Sequence, residues 1–237
     1  MNRTRFPRIK RRSLLVTVPV ALLVALAGGL LASGQPASSA ETNPTAAHHH
    51  DGASVPRTPA QVAFHDQMRR LWEDHITWTR LAIVTFADGS NGFSATADWL
   101  LRNQDDIGNT IEPFYGQAAA ARLTALLRDH ITIAVEVLQA VKAGDDAAFA
   151  EATARWYANA NDIADFLVAA NPRFWPQPVM RDAMKMHLDQ TLTEAADELS
   201  GNYTASVAAY EIVHTHILAM ADLLRSGIIG QFPARFH

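Results

Sequence analysis

The chain has 237 residues, 49% of them apolar, no cysteine and a formal net charge of −4. The lack of cysteine excludes a disulfide framework, a thiolate metal centre and a cysteine nucleophile. Six of the 20 basic residues (Arg3, Arg5, Arg8, Lys10, Arg11, Arg12) and none of the acids fall in residues 1–40, so the remainder carries 14 Lys+Arg against 24 Asp+Glu. Such an acidic surface disfavours nucleic acid and anionic lipid and is compatible with cations.

The basic start, the apolar run from Leu14 to Ala32 and the small-residue stretch Ala37-Ser38-Ser39-Ala40 predict an export signal over residues 1–40, cut after Ala40. The run is long enough to span a bilayer; Pro19 and Gly28-Gly29 weaken the alternative of an uncleaved anchor. Arg11-Arg12-Ser13-Leu14-Leu15 looks like a twin-arginine signal, a route for proteins that fold before export. After signal cleavage no membrane insertion is expected. Residues 41–58 read as a flexible linker, rich in Pro, Ala, Ser and Thr. It holds His48-His49-His50-Asp51, a weak metal tract or a solvated tether.

Residues 59–237 read as one all-α domain, an antiparallel up-and-down bundle of about six helices. The first is predicted from Pro59, behind a Thr58 cap, to Ala87, where Asp88-Gly89-Ser90-Asn91-Gly92 breaks it. The second runs from Ser94 to Glu112, before Pro113 and the Phe114-Tyr115-Gly116 turn; the third from Gln117 to Ala143, closed by Gly144-Asp145. The fourth covers Asp146 to Ala170 before Asn171-Pro172, the fifth Gln177 to Leu199, and the sixth Thr204 to Ile229.

A repeat runs through these segments. His75, His130 and His187 recur at intervals of 55 and 57 residues, and Asn103, Asn159 and His216 at 56 and 57. This period predicts three copies of a helical hairpin. On the odd helices His75 and His130 lie in apolar stripes, and His187 lines the flank of one, with Thr191, Glu194 and Glu198. Imidazole and carboxylate are the ligands that Fe, Zn, Mn and Cu accept between facing helices. The candidate metal ligands are therefore His75, Asp106, His130, Asp162, His187 and His214, with Asn103 and Asn159 orienting them.

Several alternatives stand beside a transition metal. Two facing histidines can hold haem non-covalently, and the tryptophans, Trp78 among them, can stack on a small organic ligand. Polar layers can also merely fix helix register. Arg80 can clamp an anion or pair with an acid of a neighbouring helix. Glu211-x-x-His214 has di-iron spacing but no second copy. Nucleophile elbows and phosphate loops are absent from the sequence.

The segments His75-Ile76-Thr77-Trp78-Thr79-Arg80, Arg102-Asn103-Gln104-Asp105-Asp106, Pro113-Phe114-Tyr115-Gly116 and Arg155-Trp156-Tyr157-Ala158-Asn159-Ala160 resemble a family of bacterial all-helical proteins. Met220-Ala221-Asp222, Gly227-Ile228-Ile229 and Gln231-Phe232 extend the likeness over nearly all of residues 60–233. The resemblance implies the helical fold and no particular reaction.

Overall fold

The protein is described by a computed structural model covering residues 57–237. The expected export signal, most of the expected linker and the His48–His50 tract lie outside the described residues. Six helices follow one another: α1 (Pro59–Ala87), α2 (Phe93–Tyr115), α3 (Gln117–Ala143), α4 (Asp146–Ala170), α5 (Gln177–Leu199) and α6 (Tyr203–Gln231). A 3-10 turn, Pro233–Arg235, comes after them.

Local chemistry sets the helix ends. Thr58 Oγ1 accepts from Gln61 N at 3.2 Å ahead of Pro59, and Asp145 Oδ1 accepts from Ala148 N at 3.0 Å to start α4. The last carbonyls of α1, Phe86 O and Ala87 O, accept from Lys142 Nζ at 2.6 and 3.1 Å. Gly144, with φ +65°, ends α3 in the left-handed region. The second helix runs past its expected stop to Tyr115, with Pro113 in its last turn. Phe114 is held among Phe64, Phe232 and Phe236, with centroids 5.2–5.5 Å apart across this cluster. Tyr115 donates to Gln231 Oε1 at 2.6 Å. Burial of that aromatic pair outweighs the hydrogen bond that proline forgoes.

Each helix packs on the next, and α6 returns to α1, so the three hairpins α1/α2, α3/α4 and α5/α6 close into a ring. Helices α1 and α3 also touch α5 across the middle. Ile76, Ile163, Leu188 and Ile217 fill the centre at 0–2% exposure, each stabilising the fold by about 1.5–3 kcal/mol. By length and composition α6 could cross a membrane; here Val213, Ile217 and Ala221 are wholly buried against its neighbours. The ring ends where it starts: Thr58 Oγ1 donates to Phe236 O at 2.6 Å.

Candidate functional site

His75, His130 and His187 project from the three odd helices into the interior, each at most 5% exposed. The His187 ring lies between the others, its centroid 5.9 Å from that of His75 and 6.4 Å from that of His130. A fourth ring, His216 on α6, stacks 6.4 Å from His187 and is only part-buried.

One backbone contact recurs in all three hairpins. Asn103 Nδ2 donates to Leu71 O at 3.0 Å, Asn159 Nδ2 to Leu126 O at 3.1 Å, and His216 Nε2 to Ala183 O at 2.9 Å. Each accepting carbonyl belongs to the residue four before the hairpin's histidine, one helical turn away. The even helix thus grips the turn that carries the histidine, and His216 takes in the third hairpin the place of asparagine in the others.

This grip fixes a tautomer. Asn159 uses its NH₂ on a carbonyl, so its Oδ1, 2.8 Å from His130 Nδ1, must accept a proton from that nitrogen. In the neutral ring the lone pair then sits on Nε2, which is buried with no hydrogen-bond partner among protein atoms. His187 Nδ1 is buried without a partner as well. His75 differs. Gln104 Nε2, fully buried, reaches His75 Nδ1 at 3.2 Å, Leu100 O at 2.9 Å and Asn103 Oδ1 at 3.2 Å. The amide has two hydrogens for these three contacts, and the tautomer of His75 decides the direction of the first.

The rings are electrically alike. Burial first, and then the neighbouring His130, lower His75 from the ordinary 6.5 to about 4 against the opposing pull of Asn103. Burial also lowers His130 to about 4 against the pull of Asn159. His187 is pushed well below the ordinary value, first by burial and then by His75, His130 and His216. All three are neutral at pH 7, the state in which imidazole binds metals.

Two apolar chambers meet at this layer, and the three histidines line both. Their volumes are about 40 and 60 Å³, room for an ion or a few waters. Organic ligands usually occupy sites of roughly 300–1,000 Å³.

The remaining candidates lie elsewhere. Asp106 and Asp162 are exposed, and Asp106 borders a separate surface hollow with Gln67, Arg70 and Asp74. His214 is part-buried, its Nε2 2.9 and 3.0 Å from the two oxygens of Glu73 and its ring 5.6 Å from that of Tyr210. Trp78 packs against Trp99 at 5.3 Å, in a satellite core with Ala82, Leu100 and Ile131, and lines neither chamber. Arg80 pairs with Glu194 and Glu198. Among the described residues, no group of three or more His, Cys, Asp or Glu is already set in metal-binding geometry. Bonds of about 2 Å to a shared ion would bring two ring nitrogens to roughly 3–3.5 Å. The side-by-side rings must therefore turn toward one another to share it.

Spacing alone does not reveal Gln104, which lies beside His75, or Trp156, whose ring stacks on His130 at 5.3 Å. His216 was signalled by its place in the asparagine column. Comparison with protein-family models, with curated proteins and with solved structures found no match.

Proposed function

We propose that the bundle is a transition-metal-binding protein whose ion sits among His75, His130 and His187. One observation carries this reading. Three neutral, buried imidazoles from three separate helices lie side by side, and two of their nitrogens, His130 Nε2 and His187 Nδ1, have no partner among protein atoms. Leaving a buried polar atom unsatisfied costs about 1–3 kcal/mol, a cost that a bound ion removes. Asn159 stands behind His130 as the outer hydrogen-bond partner that metal-bound histidines usually have. The leader sequence supports an exported protein, and the acidic remainder supports a cation as ligand. A twin-arginine route would let the bundle close around its ion before transport.

Elemental analysis of untagged protein, purified without chelator, should find close to one equivalent of metal. The His130→Leu variant should hold much less. Apo protein that takes up none of Fe, Zn, Mn or Cu would end this reading.

A second reading follows from the repeated grip of Asn103, Asn159 and His216 on helix carbonyls: the layer fixes the register of the hairpins and binds nothing. It predicts that replacing the three histidines together by leucine leaves thermal stability equal or higher, with no metal uptake to lose.

A further inference from the structure

We propose that the ion is copper(I), held by imidazole nitrogen with methionine sulfur from the same chamber. This rests on the metal-binding reading above and narrows it.

The chamber of about 40 Å³ on one side of the histidine layer is lined by Met68, Met184 and Met220 together with His75, His130 and His187. The three methionines come from α1, α5 and α6 and are 4–6% exposed. Three of the six methionines in the chain thus gather on the chamber where the imidazoles meet. Thioether is a soft donor that favours copper(I), whereas Mg, Ca and Mn take oxygen ligands.

Charge points the same way. Neither chamber is lined by a carboxylate, and their only hydroxyls are those of Thr110, Thr79 and Thr191. Every ligand available there is neutral, so the full charge of the ion stays in an apolar interior. The cost of burying charge rises with its square, which makes a divalent ion roughly four times as costly as a monovalent one in this setting. Copper(I) is the biologically common transition ion with a single charge, and it accepts both imidazole and thioether. Zinc and iron(II) usually bring in a carboxylate, a thiolate or a bound hydroxide to offset theirs.

The test uses the full chain with His48→Ala, His49→Ala and His50→Ala, which removes the competing tract. Anaerobic titration with copper(I) against a chromogenic copper(I) chelator is compared with zinc and cobalt(II) titrations. We expect about one equivalent of copper(I), bound at least about a hundredfold more tightly than zinc. The triple variant Met68→Leu, Met184→Leu, Met220→Leu conserves volume and should weaken copper(I) at least about tenfold while leaving zinc unchanged. Its circular dichroism melt reports whether it folds. Copper-edge X-ray absorption of the parent protein should show a sulfur neighbour at about 2.3 Å, a readout that does not depend on the variant. Zinc or cobalt bound as tightly as copper(I), or a copper shell without sulfur, overturns the copper(I) assignment and leaves the metal-binding reading standing. Failure to take up any ion overturns both.

Discussion

Two of the polar clusters buried in this bundle share α5 and are built on opposite principles. His187 belongs to the imidazole layer; Glu194 and Glu198, two and three turns further along the same stripe, belong to a charged knot. There Arg80 Nη1 donates to Glu194 Oε1 at 3.1 Å and to Ser206 Oγ, while Nη2 donates to Glu198 Oε2 at 2.9 Å. Ser206 Oγ donates to Glu198 Oε2 at 2.7 Å. Arg80 thus engages both carboxylates and the serine, and Glu194 Oε2 is the one fully buried atom of the knot without a hydrogen-bond partner. The layer, in contrast, spends its asparagines on backbone carbonyls and leaves ring nitrogens unused. Satisfied polar groups hold the fold; unsatisfied ones mark where a ligand is expected.

Breaking the knot should have the largest effect. Arg80→Met strands two carboxylates inside the bundle, and equilibrium denaturation should show a loss of about 3–5 kcal/mol. A loss below about 1 kcal/mol would mean that the knot behaves as an exposed pair and that the contrast is false.

Acid should separate the clusters next. The histidines have folded pKa values below the unfolded 6.5, so their contribution is full above 6.5 and is lost as pH falls from there to about 4. Glu194 runs the other way. Burial raises it from 4.5 to about 7 against the pull of Arg80, so its contribution is full below 4.5 and is lost as pH rises through about 7. Three imidazoles oppose one carboxyl in the shared window. Apo protein should therefore lose at least roughly 3 kcal/mol between about pH 7 and pH 4.5. His130→Leu should shrink that acid loss and Glu194→Gln should enlarge it. A stability flat over this range would show that the rings take up protons freely.

Smaller effects sharpen the picture. Asn159→Leu removes the grip on Leu126 O and the partner of His130 Nδ1, and should cost about 1–3 kcal/mol in chemical denaturation. His187→Leu should change apo stability by less than about 1 kcal/mol, because it replaces a ring with an unpartnered nitrogen by an apolar side chain, yet it should abolish metal uptake. Should His187→Leu cost more than Asn159→Leu, His187 would be a structural residue rather than a ligand.

The helices were legible because their signals are local. Four of the six run between the residues that the caps, glycines and prolines mark: α1, α3, α4 and α5. The Pro113 stop failed because the reward for continuing, contact of Phe114 and Tyr115 with the distant C-terminal aromatics, is tertiary and invisible to a local rule. At the site, the equal spacing of histidines and of asparagines carried real geometry, since it placed each gripping side chain opposite the turn it holds. Asp106 and Asp162 lie away from the imidazole layer for a rotational reason. Each directly precedes a buried isoleucine, Ile107 or Ile163, and a one-residue step turns a helix by about 100°, away from the interior. His214 is set aside in the same way, one step past buried Val213 and turned toward Glu73. The methionines carried no signal at all, because a thioether at helical spacing reads as ordinary core.

The hydroxyl of Thr58, which caps the first helix and donates to the carbonyl of Phe236, gives the bundle a cyclic character that linear numbering hides. A short flexible bridge between these two positions should let the chain be cut at the Gly144-Asp145 connection instead, giving a rearranged gene product with the same core. Order along the polypeptide would then be a historical accident of where translation begins, and each hairpin would count as an equal sector of one wheel.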